Sequence, residues 1–297
     1  MRILLIGCGR TGRVIAEGLL KLKLGIGEIL LYSRTPKDAK LLASDLKSSK
    51  LKVIEKLKKL PKLDYVIIAL SAVSDEARNE SMLKRSDTYQ VRQDELKFNI
   101  GALTDLISYL KSVPKTTTII VVTNPVDELT NFLRITLNHP KILGFGPELD
   151  AARYSKALGK QVFCIGVHGR AVPLISAKSE KKYRDLLKKI DKELLSRIRK
   201  HGIPYKIAGK LFSRFFRKLN SKKVETIYAS YYLSKEFAGV KDTSISLPFK
   251  AKKGEIIGVE GLKLNKIEQK MFLKLAVGLR KSVNHILATH KKLASYK

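Results

Sequence analysis

Short, almost unbroken apolar runs recur through the first half of the chain: ILLI at 3–6, EILLY at 28–32, LKVI at 51–54, YVIIAL at 65–70 and TIIVVT at 118–123. Runs of this length with no polar alternation fit strands buried on both faces, as in a parallel sheet covered by helices. Between several of them the period lengthens to that of a helix, first at Val14, Ile15, Leu19 and Leu22. The pattern predicts an α/β, Rossmann-type doubly wound parallel sheet over residues 1–145, with an α+β domain over 146–297. In the second half QVFCIGV at 161–167 reads as a strand that breaks at a glycine and delivers His168, and LFSRFFRKL at 211–219 reads as an amphipathic helix. No apolar run approaches the ~20 residues needed to cross a bilayer, and no repeat or low-complexity linker interrupts the 297 residues.

Hydrophobic residues make up 44% of the chain, as in a folded protein with a substantial core. Its two cysteines, Cys8 and Cys164, match no metal spacing, so no metal is expected, and a cytoplasmic setting fits. Charge changes the picture more. There are 59 Lys and Arg against 27 Asp and Glu, and the excess is lopsided: residues 1–150 hold 24 basic and 17 acidic, residues 151–297 hold 35 and 10. Such a field concentrates anions, whether small dianions, nucleotide phosphates, nucleic acid or acidic lipid headgroups. A solvated lysine-rich surface would look the same in sequence.

Gly7, Gly9 and Gly12, with Arg10 and Thr11 between them, form a G-x-G-x-x-G between the first strand and the first helix. In that setting the first glycine permits a tight turn, the second lets backbone approach a pyrophosphate, and the third allows close packing, while free N–H groups at the helix start bind the anion. An NAD site would end the second strand in Asp or Glu. This chain has Ser33 and then Arg34, a hydroxyl and a guanidinium that suit a 2′-phosphate, so NADP is expected over NAD, with NAD still admissible.

Asp150 and Arg153 lie three apart, on one helical face. A histidine that exchanges a proton with a hydroxyl needs a carboxylate on its other nitrogen, and an arginine beside the pair can grip a substrate carboxylate with two parallel hydrogen bonds. Taken singly, each of these residues can equally be structural. Together, GCGRTG (7–12), TNPVD (123–127), LDAAR (149–153) and IGVHG (165–169) make the chain resemble the lactate/malate dehydrogenase family over nearly its whole length. The resemblance implies that Asn124 lies beside the nicotinamide and the substrate oxygen, that Asp150 partners the catalytic His168, and that Arg153 clamps the substrate carboxylate. It also implies a cation that meets charge growing on the reacting oxygen, placed just before a helix and seven residues ahead of an asparagine. Arg92, seven before Asn99, fits.

The chain departs from the family in three places. The segment between the fourth strand and Arg92 is longer than the family's lid and lacks its Gly- and Pro-containing pattern. Of Arg78, Lys84 and Arg85 there, Arg85 sits closest to the position that binds the second carboxylate of malate. Val167 and Arg170 replace acids that commonly flank the histidine, a change expected to destabilise the imidazolium. After the stretch 178–223, with 17 basic and 4 acidic residues, the family's substrate-contacting Thr or Ser would fall on a helix matching VETIYASYYLSKEF, at Thr226 or displaced by Glu225. His285 and His290, on the closing helix, are expected at the surface.

The expected activity is hydride transfer between NADP(H) and a 2-hydroxy/2-oxo dicarboxylic acid, malate and oxaloacetate, by a homo-oligomer, dimer or tetramer. One alternative is a lactate or other monoacid dehydrogenase. Another, of a different class, is a nucleotide-binding scaffold whose basic lobe, with Phe212, Phe215 and Phe216 interleaved among cations, meets RNA or an acidic membrane.

Overall fold

A computed structural model describes residues 1–58, 60–176 and 179–295, with side chains described as far as residue 290. The first half alternates strand and helix: β1 (Arg2–Ile6), α1 (Arg10–Leu20), β2 (Glu28–Tyr32), α2 (Pro36–Leu46), β3 (Leu51–Val53), β4 (Tyr65–Ile68), α3 (Asp75–Lys84), α4 (Thr88–Thr104), α5 (Ile107–Ser112), β5 (Thr118–Val121), α6 (Val126–Leu137) and β6 (Ile142–Gly144). The second half comprises α7 (Pro147–Leu158), β7 (Cys164–Ile165), β8 (Val172–Pro173), α8 (Glu180–His201), α9 (Tyr205–Leu219), β9 (Glu225–Tyr232), β10 (Ser244–Lys252), β11 (Glu255–Val259) and α10 (Lys266–Ser295).

Strands β1 to β6 pair in parallel, and the whole sheet runs β11-β10-β9-β6-β5-β4-β1-β2-β3. The chain therefore winds one way from β1 and the other way from β4, which opens a crevice at the carboxyl ends of these neighbours. Ile3, Leu4 and Leu5 of β1, and Val66, Ile67 and Ile68 of β4, are wholly buried, as strands covered on both faces require. Strand β6 then pairs antiparallel with β9, and β10 and β11 continue antiparallel to the edge.

Several local expectations are corrected. VETIYASYYLSKEF is not a helix: its centre is β9, rich in tyrosine and held between β6 and β10. Thr226 donates to Glu260 Oε2 (2.7 Å), an acid just beyond the last strand, so the sheet engages it away from the site described below. The segment before Arg92 is not an irregular loop. It folds as α3, capped by Ser74, and Arg92 lies inside α4, which starts at Thr88 behind its Asp87 cap. QVFCIGV contributes only two strand residues, Cys164 and Ile165. His285 is exposed, but His290 stands edge-on to the Phe132 ring, 5.0 Å between centroids.

Phe212, Phe215 and Phe216 are fully buried, so the aromatic stripe of α9 is core; Arg214 and Arg217 face solvent, and half-buried Lys218 donates to Thr226 O (2.7 Å). Helix α9 lies against α1 at very close range. A Cβ at Gly209 would come within 2.7 Å of Val14 Cβ, and one at Gly18 within 2.0 Å of Ser213 Oγ. Gly209 and Ser213 thus make the contact with α1, while the phenylalanines pack on Phe145, Tyr65 and one another. Among the described residues no helix is long and apolar enough to cross a membrane. Phe212→Ala should cost about 3–5 kcal/mol of stability, the range for truncating a buried aromatic, as read from the midpoint of a denaturant titration.

Candidate active site

The turn after β1 is built for an anion. Gly7 has φ +103°, and a Cβ there would lie 2.6 Å from the Ala69 carbonyl. A Cβ on Gly12 would lie 1.9 Å from Gly7 O, whereas nothing stands within 4 Å of the position over Gly9. Helix α1 begins there without a side-chain cap and without an acid in its first turn, so its leading N–H groups face an open cradle. A cavity of about 1100 Å³ extends from it along β2. Ser33 and Arg34 line that cavity with Lys56 and Lys58, and Asp38 and Glu55 stand on the same wall. Arg34 is exposed, and the Ser33 hydroxyl lies 3.5 Å from Asp38 Oδ2.

Arg10 and Thr11 face inward from the cradle. Arg10 pairs with Asp75 at the start of α3 and stacks over Tyr205, 5.8 Å from the ring centroid, so the turn is tied to elements from both halves. Thr11, Ala69, Leu70, Ser71, Arg78 and Tyr205 also border a second cavity of about 210 Å³. Into this smaller space face Asn124, Arg92, Arg153 and His168.

At its back Asp150, fully buried in the first turn of α7, accepts from His168 Nδ1–H (2.8 Å) and from Gly169 N–H (3.0 Å). With Nδ1 so committed, Nε2 is the ring nitrogen left for a ligand. Glycines flank the imidazole because nothing larger fits. A Cβ at Gly146 would come within 2.7 Å of the ring, and one at Gly169, which has φ +91°, within 2.4 Å of Arg92 Nη1. Arg92 Nη1 donates to Thr88 O (3.0 Å), which fixes the guanidinium. Among the described residues Arg153 Nη1 is buried without a hydrogen-bond partner, and it lies 3.4 Å from Asp150 Oδ1.

Charge in this pocket is closely balanced. Burial lowers the His168 pKa to about 4; the Asp150 field opposes that, and Arg92 and Arg153 add to it. For Asp150, burial works upward, but His168, Arg153 and Arg92 outweigh it and hold the carboxyl at about 2. Burial and then the neighbouring Arg153 lower the Arg92 pKa. Arg170 does not crowd the imidazole: it lies over the Tyr89 ring (4.3 Å) and reaches Asp87 (3.3 Å).

Arg85 is not brought to the cavity. Its Nε and Nη2 donate to the two Asp94 oxygens (2.7 Å each), a bidentate pair on the outer side of α3 and α4. Arg78 lines the cavity in its place. Other contributors carry no clear mark in sequence. Asp127, fully buried, accepts from His168 N–H and from the Ser246 hydroxyl (2.7 Å each) and so sets the backbone that bears the imidazole. Burial raises its pKa to about 7. Asn99 accepts from Ala72 N–H and donates to Asn124 O (2.8 Å each), which locks Asn124 in place. Asp191 of α8 is raised by burial to about 6 despite nearby Arg153. Ile203, Pro204, Tyr205 and Ala208 at the start of α9 close the wall where Thr226 had been expected. The break at Gly202 and Pro204 before an amphipathic run was the available signal.

The pattern of the shikimate / quinate 5-dehydrogenase family matches residues 1–113, the glycine turn and the sheet around it. Malate dehydrogenase 2 of Aquifex aeolicus is 28% identical over 190 residues, 57% of this chain and 54% of that relative, so the chain matches about half of the relative's length. The fold is shared more fully. Malate dehydrogenase from Plasmodium falciparum superposes with a TM-score of 0.80 at 18% identity, covering 97% of this chain and 99% of the other. The Archaeoglobus fulgidus malate dehydrogenase in complex with NADH gives 0.77 at 20% identity, covering 96% and 99%.

In the ligand-free protein His168 should titrate near pH 4, followed by NMR of its ring. Asp150→Asn removes the field that favours the imidazolium, so the titration should move lower still.

Proposed function

We propose that this chain, which resembles the malate and lactate dehydrogenases in both sequence and fold, is an oxidoreductase that exchanges hydride between a nicotinamide dinucleotide and a 2-hydroxy/2-oxo acid, with malate and oxaloacetate as the pair. The observation that carries the reading is Arg153 Nη1, buried with no hydrogen-bond partner among the described residues and held only by an ion pair to Asp150 at 3.4 Å, in one small cavity with Arg92 and with an imidazole backed by Asp150. A buried guanidinium nitrogen with an unused hydrogen-bond donor gains from a carboxylate ligand.

The open cradle over Gly9 and the long cavity beside it fit a dinucleotide, with the pyrophosphate over the start of α1. When bound, the nicotinamide supplies the hydride acceptor or donor. Arg153 takes the C1 carboxylate and thereby orients the hydroxyl-bearing carbon. His168 Nε2 accepts the hydroxyl proton during oxidation, and Asp150 stabilises the imidazolium that results. In reduction His168 returns that proton while Arg92, rigid in α4, offsets charge growing on the oxygen. Asn124, held by Asn99, borders the small cavity beside these groups. Because His168 is neutral down to about pH 4 in the free protein, oxidation should need no deprotonation step near neutrality.

NADP preference belongs to the same reading: three basic residues, Arg34, Lys56 and Lys58, stand at the far end against two acids. So do a dimeric or tetrameric assembly and a cytoplasmic setting. A monoacid is favoured as the second substrate reading by two observations. Arg85 is bound to Asp94, and the wall at Leu194, Ile198 and Ile203 is apolar. The scaffold alternative loses its support at α9, whose aromatic face is buried.

His168→Asn should leave dinucleotide affinity unchanged and lower kcat by about a thousandfold or more, within the range for losing a general acid/base. Steady-state turnover and fluorescence titration of the reduced cofactor check this, and retained turnover would remove His168 from its role. Arg34→Ser should lower the NADPH over NADH ratio of kcat/KM about tenfold.

A further inference from the structure

The lid end of the small cavity is closed by an ion pair. Arg78 of α3 donates from Nε to Glu95 Oε1 (2.9 Å) and from Nη2 to Ser71 Oγ (2.8 Å), with Nη1 3.5 Å from Asp75 Oδ1. Arg78 and Glu95 both line the cavity and both are largely withdrawn from solvent, at 13% and 10% side-chain exposure. Glu95 lies three residues after Arg92 on α4, so one face of that helix carries both. Each guanidinium nitrogen of Arg78 thus already faces an oxygen. A second carboxylate arriving here meets a cation that is balanced by a resident anion, and at close range it is repelled by that anion.

We propose that Glu95 is a specificity-determining residue: its carboxylate occupies the partner position on Arg78 that the distal carboxylate of a substrate would take. It therefore sets how far the cavity distinguishes 2-oxo dicarboxylates from 2-oxo monocarboxylates of equal length. This rests on the reading of the chain as a 2-hydroxy acid dehydrogenase. Arg78 supplies the attraction and Glu95 restrains it. An uncharged substituent leaves the pair intact beside Leu194 and Ile198, whereas a carboxylate must share the guanidinium. With an amide at 95 the Nε–H keeps an acceptor and Ser71 still anchors Nη2, so the cation stays in place with its charge released.

The test compares kcat/KM for oxaloacetate and 2-oxobutyrate, both four-carbon acids, in the full-length wild type, Glu95→Gln and Arg78→Gln. Glu95→Gln should raise the oxaloacetate over 2-oxobutyrate ratio about tenfold, equivalent to ~1.4 kcal/mol, chiefly through KM. Arg78→Gln should lower the ratio by at least as much, and it reads the same contact if Glu95→Gln fails to fold. An unchanged ratio in a folded Glu95→Gln, or in Arg78→Gln where Glu95→Gln fails to fold, would overturn the proposal. If the wild type turns over neither acid, the enzymatic reading fails by itself. Calorimetric affinities of the dinucleotide-loaded protein for malate and 2-hydroxybutyrate then decide the role of Glu95, because the same shifts are expected in binding and their absence rejects it.

Discussion

A carboxylate sealed from water has to be answered by positive charge or by donors, and the second half of this molecule is arranged around one such group. Asp150 faces an imidazole N–H, a backbone N–H and a guanidinium. Each of these partners requires something of its own neighbourhood. The imidazole needs bare backbone at Gly146, the loop behind it needs the buried Asp127, and Arg92 needs the missing side chain at Gly169. Replacing a single carboxylate here would leave several groups without a counterpart, because a buried partner that loses its match costs more than the net worth of the contact.

The two cavities share six residues, so they meet across a thin partition. This follows from topology. The crevice lies where the sheet changes direction between β1 and β4, and the residues just past both strands, Gly7 to Thr11 and Ala69 to Ser71, border it from either side. Arg10, Asp75, Arg78 and Glu95 then form a line of alternating charge from the glycine turn to α4. The basic excess of the second half takes no part in that line. Much of it lies on the exposed faces of α8, α9 and α10.

The parallel core was legible because burial on two faces leaves a direct record, an unbroken apolar run such as Tyr65 to Ile68. The glycine turn was legible because sterics at Gly7 and Gly12 admit no other residue. His168, Asp150, Arg153 and Arg92 could be singled out because their chemistry restricts residue type and their order follows a family pattern. The structure brings His168, Arg153 and Arg92 to one cavity, with Asp150 directly behind the imidazole. What escaped was set by contacts between distant segments. By sequence offset Arg85 is the better candidate cation and Arg78 the poorer, and only the pairing with Asp94 or Glu95 in space reverses that order. The strand at β9 escaped because its tyrosines suit either a helix or a sheet, and two flanking strands decide the matter. Asp127 closes the TNPVD motif in sequence, but its role as a buried anchor for the His168 backbone is visible only in space.

The antiparallel pairing of β6 with β9 joins both halves of the chain in one hydrogen-bonded sheet. Rotating one half as a rigid body would tear that seam, so the molecule has no cheap hinge between its lobes. The helices that border the small cavity from outside the sheet, α3 and the start of α4, are secured as well: Ser74 and Asp87 cap them, Arg85 pairs with Asp94, and Arg199 of α8 donates to the carbonyls of Met82 and Arg85. A crevice framed this way holds His168, Arg92 and Arg153 in one register although they come from different parts of the chain.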